Sequence, residues 1–266
     1  MTRISFAARS ETGKVRSSNE DNLYCNGVIM TASTRERPFF LAGATESPAI
    51  FAVCDGMGGE DCGELASLTA VEYLSRHARN ILHNLIDANH EVQEYITDAN
   101  NKLLEIMRQQ RIQMGTTLAL AVAGGGSFTL YNIGDSRIYR TNEEGRLLRV
   151  SDDHTLAEEK MRMGYITAQQ AEESRERHIL MRFLGMYDDE MGVMPDINGP
   201  YEYENSKRVL LSSDGLNDML PFRDIAEIMT KHKTASDAVN ALVDAALFRG
   251  GKDNVTCIVL EFTEEE

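Results

Sequence analysis

Four times in this chain an apolar or glycine-bearing run that reads as the edge of a β-strand meets an aspartate. Ala-Ile-Phe-Ala-Val-Cys (49–54) runs into Asp55-Gly56-Met57-Gly58-Gly59, and Val-Leu-Leu-Ser-Ser (209–213) runs into Asp214-Gly215-Leu216. Tyr-Asn-Ile-Gly (131–134) runs into Asp135-Ser136-Arg137, and Gly250-Gly251-Lys252 leads into Asp253-Asn254 just before the last strand. Glu20-Asp21 stands ahead of Asn22-Leu23-Tyr24 in the same way. An ionised carboxylate at the rim of a core is costly, and several together are worse unless something positive sits among them. For a lone Asp-Gly a hairpin turn is the ordinary reading. It fits poorly after Asp55 and Asp214, where glycine and then helical patterning follow instead of a returning strand. Taken alone, Asp135 reads as a hairpin residue and Asp253-Asn254 as a plain strand entry. Their convergence at one end of a sheet is what hairpin chemistry leaves unexplained.

Periodicity arranges the chain in blocks. Residues 3–9 and 22–30 read as extended, and 33–48 as a loop between strands with Phe39-Phe40 exposed. Apolar spacing turns helical over 60–79 (Leu65, Leu68, Thr69, Val71, Leu74) and again over 87–111 (Val92, Ile96, Ala99, Leu103, Leu104, Met107). Strands resume at 117–123 and 128–133 around the turn Gly124-Gly125-Gly126, and 137–141 with 146–150 reads as a further hairpin. The stretch 153–199 is polar and helical in short pieces, and holds Met161, Met163, Met181, Met186, Met191 and Met194. These side chains either offer a pliable apolar surface or fill the undersides of the short helices. A strand at 207–213, helices at 221–232 and 235–248 and a closing strand at 254–262 complete the chain. Strands separated by blocks of paired helices predict an α+β layered architecture rather than alternating βαβ units. With no low-complexity linker and no repeat, residues 1–266 read as a single domain.

The acidic residues number 42 against 27 basic ones, a formal charge of −15. That surface repels polyphosphate backbones, so nucleic acid is not an expected partner. No apolar run has the roughly 20 residues of a membrane helix and no signal peptide opens the chain, so a cytoplasmic protein without a membrane partner is expected. Cys25, Cys54 and Cys257 sit in apolar strand-like runs, as reduced core thiols do, and Cys62 sits in a more polar stretch. Charge excess also marks carboxylates gathered to hold cations. Only oxygen donors are on offer, without Cys or His at zinc spacing and without the calcium-loop pattern, which suits Mg²⁺ or Mn²⁺. Two such ions sharing a carboxylate supply hydroxide at neutral pH and clamp an in-line displacement at phosphorus.

In their order along the chain these residues resemble the metal-dependent protein phosphatases of the PPM, or type 2C, class. The matching pieces are Arg16-Ser-Ser-Asn19-Glu20-Asp21, Asp55-Gly56-Met57-Gly58-Gly59, Gly115-Thr116-Thr117, Asn132-Ile-Gly134-Asp135-Ser136-Arg137-Ile-Tyr139, Asp153-His154, Ser213-Asp214-Gly215-Leu216 and Asp253-Asn254-Val-Thr256. The resemblance implies a central β-sandwich of two antiparallel sheets flanked by pairs of α-helices, a four-layer αββα arrangement. It implies that Asp55 bridges two Mn²⁺ or Mg²⁺ ions, with the Gly56 carbonyl on one and Asp214 and Asp253 completing the other. Glu20 and Asp21 would hold metal-bound waters, and Arg16 would grip the substrate phosphate with its guanidinium fork. Bacterial members often carry a third ion, whose ligands match Asp135 and Asp214. The implied activity is a serine/threonine phosphoprotein phosphatase in which hydroxide attacks phosphorus directly, without a covalent phospho-enzyme. Its implied partners are phosphoserine and phosphothreonine proteins and a cognate bacterial Ser/Thr kinase that shares them, with the phosphatase itself a monomer. The segment 153–199 sits where the family carries a flap beside the active site.

One position departs from the animal pattern: Met57 stands where those members often have a His that protonates the leaving oxygen. Bacterial relatives commonly share the Met, and the proton is then expected from a water on the metal rather than from His154. Two other readings compete with the phosphatase: a silent relative that only binds phosphoproteins, and a two-metal nuclease or small-phosphoester hydrolase. The filled set of acidic positions argues against the first. The acid surface and the ordered motif set argue against the second.

Overall fold

A strand covered on both faces needs apolar side chains at every position, and Ala49–Cys54 is buried at all six. It lies in a four-layer stack whose strands, in chain order, are β1 (Thr2–Glu11), β2 (Asn22–Cys25), β3 (Val28–Ile29), β4 (Phe39–Glu46), β5 (Ala49–Cys54), β6 (Gly56–Gly58), β7 (Met114–Thr116), β8 (Leu118–Gly124), β9 (Ser127–Ile133), β10 (Arg137–Thr141), β11 (Leu147–Arg149), β12 (Asp196–Glu202), β13 (Arg208–Ser212) and β14 (Val255–Glu264). The helices are α1 (Ala32–Arg35), α2 (Cys62–His83), α3 (Ala88–Gln110), α4 (Leu156–Arg162), α5 (Ala168–Glu173), α6 (Asp214–Asn217), α7 (Phe222–Lys231) and α8 (Ala235–Phe248). This computed structural model describes residues 2–58, 62–187 and 193–264. Gly59 of the glycine-rich turn, Glu60 at the expected helix start and Met191 lie outside the described residues.

Two six-stranded antiparallel sheets stack face to face, in the orders β11-β10-β13-β14-β1-β4 and β12-β9-β8-β5-β2-β3. The period of two sorts each strand between layers. Ala49, Phe51 and Val53 of β5 point to the opposite sheet, where they meet Ile4, Leu211 and Ile258. Ile50, Ala52 and Cys54 point outward, onto Val71 and Leu74 of α2 and Tyr95 and Ile96 of α3. On the far side Leu210 and Val259 meet Ala238, Val239 and Leu242 of α8. Each large apolar side chain so enclosed contributes about 1.5–3 kcal/mol. The layered α+β class expected from the block pattern, and the helix-flanked sandwich of two antiparallel sheets that the resemblance implies, are both observed.

Several local expectations change. Residues 22–30 form a hairpin, β2 and β3, because Asn26 and Gly27 adopt positive φ between them. The expected loop 33–48 contains α1 and the eight-residue strand β4, which pairs with β1 from Phe39 to Glu46. As an edge strand β4 packs only Phe39 and Leu41 against the inter-sheet core, so its apolar signal is weak; Phe40 is half exposed. Asp135 is not in a hairpin: β9 and β10 belong to different sheets, and Gly134, at φ +95°, turns the chain across from one to the other. Gly56–Gly58, read as a lead into a helix, also forms a short ladder with Met114–Thr116. The last residues of the expected flap, from Asp196 on, are strand β12 on the edge of the second sheet.

Candidate active site

Antiparallel pairing decides which strand ends meet. β5 and β9 flank β8 and both end at the same edge of their sheet, next to the start of β2. In the other sheet β13 ends where β14 begins and where β1 ends. One cleft of ≈320 Å³ opens at that shared edge, and Arg16, Glu20, Asp55, Gly56, Asp135, Asp214 and Asp253 all line it. Of the expected site residues only Asp21 does not. It is fully buried behind the cleft wall, where Ser213 Oγ donates to its Oδ2 at 2.8 Å.

The scaffold around these carboxylates is largely backbone held by hydroxyl and amide groups. The Asp55 N–H donates to Thr117 Oγ1 at 2.9 Å, while its carbonyl accepts from Thr116 Oγ1 at 2.8 Å and from the Thr117 N–H at 2.9 Å. Asn254 Oδ1 accepts from the Glu20 N–H at 2.8 Å, and its Nδ2 donates to the carbonyls of Thr12 and Ser18. That one side chain folds the 12–20 loop over the start of β14. Ser67 of α2 donates to the Glu20 carbonyl at 2.6 Å. Beside it, a Cβ on Gly63 would stand 2.8 Å from both the Gly56 carbonyl oxygen and the Glu20 carboxyl carbon. Only glycine at 63 leaves room for both oxygen donors.

Electrostatically the cleft is crowded with like charge. Burial, and then the fields of Asp21, Asp214, Asp135 and Asp253, hold Asp55 well above the ordinary carboxylate value. Burial and then Asp135, Asp218 and Asp253 do the same to Asp214. Burial is the first cause at Asp21 and Asp135 too, and each is pushed up to about 7. Asp21 Oδ1 is buried without a hydrogen-bond partner among the described residues. Carboxylates that repel each other, an orphaned buried oxygen and a donor set dominated by oxygen, with the His178 imidazole 4.0 Å from Asp214 at its flap side, fit hard divalent cations such as Mn²⁺ or Mg²⁺. Arg16 is half exposed at the mouth and donates through Nη2 to Asp253 Oδ2 at 2.7 Å. Its guanidinium is thus held over the carboxylates, facing solvent.

His154 stands apart from the cleft lining. Its Nδ1 accepts from the Gly134 N–H at 3.0 Å, and Nε2 lies 3.1 Å from Asp196 Oδ2. Burial lowers its pKa first, with Arg182 acting the same way and Asp196 opposing. Sequence reasoning missed several contributors. Gly63 and Ser67 carry no chemistry of their own and gave no signal. Asp218 did: it falls four residues after Asp214, on the same side of a helical turn, and lies 3.9 Å from His178 on the flap. His178 and Leu180 bring the flap to the cleft wall. Among the described flap methionines, Met163, Met181 and Met194 are half exposed and Met161 and Met186 are partly covered.

An αββα sandwich with an oxygen-lined acidic cleft at one edge defines a class of cation-dependent hydrolases. Comparison with known proteins narrows the class. The family model described as protein phosphatase 2C matches residues 39–246. The serine/threonine phosphatase stp of Listeria monocytogenes is 29% identical over 260 residues, covering 95% of this chain and 94% of that protein. The crystal structure of the serine/threonine phosphatase PstP/Ppp of Mycobacterium tuberculosis matches with a TM-score of 0.80 at 28% identity, covering 97% of this chain and 98% of that one. A PstP catalytic domain in complex with two manganese ions matches with a TM-score of 0.78 at 27% identity, covering 99% and 100%. The chain belongs to the protein phosphatase 2C family. It is thereby a phosphatase of the PPM class.

Proposed function

We propose that this PPM-class serine/threonine phosphatase hydrolyses phosphoserine and phosphothreonine esters in proteins, using divalent cations held by Asp55, the Gly56 carbonyl, Asp214 and Asp253. The observation that carries the reading is the arrival of these groups, from strand ends more than 150 residues apart, in one cleft. Glu20 lines the cleft beside them and Asp21 supports it from behind, positions suited to orienting bound water. Asp135, with Asp214, is the candidate pair for a third ion. When bound, Mn²⁺ or Mg²⁺ supplies the Lewis acidity that makes water a nucleophile at neutral pH and offsets the charge of the ester.

The chain's own groups do the rest. Arg16 is placed to take two phosphate oxygens with a planar fork that keeps its proton. Thr116 and Thr117 fix the Asp55 backbone so that its carboxylate stays aimed into the cleft. Met57, which lines the cleft, has no proton to give a leaving alkoxide. His154 lies behind the wall with both ring nitrogens engaged, so neither residue supplies that proton. The cleft opens to solvent at its mouth, where Arg16 is half exposed. Further parts of the reading are a single catalytic domain over 1–266, a cytoplasmic monomer, and opposition to a Ser/Thr kinase acting on the same proteins. None of the described helices is long and apolar enough to cross a membrane.

The test is hydrolysis of a phosphothreonine peptide and an aryl phosphate with Mn²⁺, with and without chelator. Both activities should need the cation, and Asp214→Asn should lower both by about 10²- to 10³-fold, a loss of the order seen when a main charge-stabilising group is removed. Retained activity in Asp214→Asn, or activity unaffected by chelator, would overturn the assignment.

A further inference from the structure

Behind the cleft, one imidazole joins the loop that carries Asp135 to the limb on which the flap returns to the sheet. His154 and Gly134 bond twice: the His154 N–H donates to the Gly134 carbonyl, and the Gly134 N–H donates to His154 Nδ1, each at 3.0 Å. Gly134 has no slack on its other side. A Cβ there would stand 2.6 Å from the Thr117 side chain, whose hydroxyl also accepts the Asp55 N–H. The backbone leading into Asp135 is therefore caught between Thr117 and the imidazole.

The opposite edge of the ring faces the flap. Nε2 lies 3.1 Å from Asp196 Oδ2 and 3.2 Å from Arg182 Nη1. Arg182 donates to Asp196 Oδ1 at 2.6 Å and to the Met194 carbonyl at 3.3 Å, and the Met181 N–H donates to the His154 carbonyl at 2.8 Å. Because Nδ1 accepts from an amide, a neutral ring carries its proton on Nε2, directed at Asp196. The side chain is only 8% exposed, so this orientation is enforced by its surroundings.

We propose that His154 is a positioning residue: it sets the direction of Asp135 through Gly134 and makes cation binding at Asp135 depend on the flap-side partners Arg182 and Asp196. The proposal rests on Asp135 being a cation ligand. Groups that orient a ligand from behind typically govern affinity 10- to 100-fold, about the size expected here.

Mn²⁺ titration of the full chain by calorimetry, with free Mn²⁺ followed by electron paramagnetic resonance, reads it directly. His154→Ala should weaken the most weakly held class of ion about tenfold and leave the tighter ions unchanged. His154→Asn, whose side-chain oxygen can take the Gly134 N–H in place of Nδ1, should recover affinity to within about threefold of the original. Asp196→Ala and Arg182→Met should each weaken the same class in the otherwise unaltered chain, and have no effect in the His154→Asn background. If His154→Ala does not fold, His154→Gln takes its place: it keeps reach to Asp196, loses the Gly134 acceptor and should bind like the alanine variant. The proposal fails if a folded Ala or Gln variant binds all ions normally, if Asn binds no better than these, or if the flap variants act equally in the Asn background. Asp135→Asn separates the two layers. Should it leave every ion class unchanged, Asp135 is no ligand and the inference falls with that reading rather than through His154.

Discussion

Stripped of divalent cations, this protein should become more stable as the pH falls from 7.5 to 6. The reason lies in four carboxyls. Asp21 and Asp135 are pushed up to about 7, and Asp55 and Asp214 stand well above the ordinary 3.8, all with burial as the first cause. A carboxyl whose pKa is raised by folding holds a proton that the unfolded chain has already released. Its stabilisation is full below the unfolded value and is lost as pH rises through the folded one. Between pH 7.5 and 6, Asp21 and Asp135 together contribute about 2 kcal/mol in this direction, and Asp55 and Asp214 add to it. His154 opposes: its lowered pKa means that the unfolded chain takes up the proton first, a loss of under about 1 kcal/mol over the same interval. The net gain on acidification is at least about 1 kcal/mol, a rise of about 2 °C in melting temperature for a chain of this size. Urea midpoints in chelator at the two pH values, repeated with saturating Mn²⁺, measure it. Cations keep the carboxylates ionised, so Mn²⁺ should raise stability most at pH 7.5 and remove the slope. A cation-free protein that is equally or more stable at pH 7.5 would refute the reasoning.

Two substitutions probe the frame and the mouth of the cleft. Gly63→Ala puts a methyl 2.8 Å from the Gly56 carbonyl and the Glu20 carboxyl; Mn²⁺ affinity by calorimetry should fall about tenfold while far-UV circular dichroism stays unchanged. Arg16→Ala should lower kcat/KM for an aryl phosphate about 10- to 100-fold, the worth of a hydrogen bond between charged groups, and Arg16→Lys should recover little of it because an ammonium lacks the fork.

How far the fold was legible in the sequence depends on the range of the forces involved. The unbroken apolar runs of β5 and β13 and the three-to-four spacing in α2, α3 and α8 reflect how much of a local element is buried, and each can be read within a dozen residues. β4 was not legible, because an edge strand is covered on one side only and its sequence carries half the signal. Asp55 and Asp214 stood out since the residues after them contradict a hairpin. Gly63 and Ser67 did not, since their importance lies in what they leave room for or hold by the backbone.

From the residue order alone came the layered α+β class, the oxygen-rich donor set and the strand-end aspartates, because each depends on local patterning or on residue chemistry; the individual cation ligands and the phosphate role of Arg16 came from the resemblance to the phosphatase family. The assembled molecule was needed to show that β9 and β10 lie in different sheets, which turns Asp135 from an apparent hairpin residue into a crossover residue at the cleft. It was needed as well to place Asp21 behind the wall and the flap's His178 and Leu180 against it. Burial and repulsion act through space between groups up to some two hundred residues apart, so how strongly these carboxylates demand a cation is a property of the packed structure.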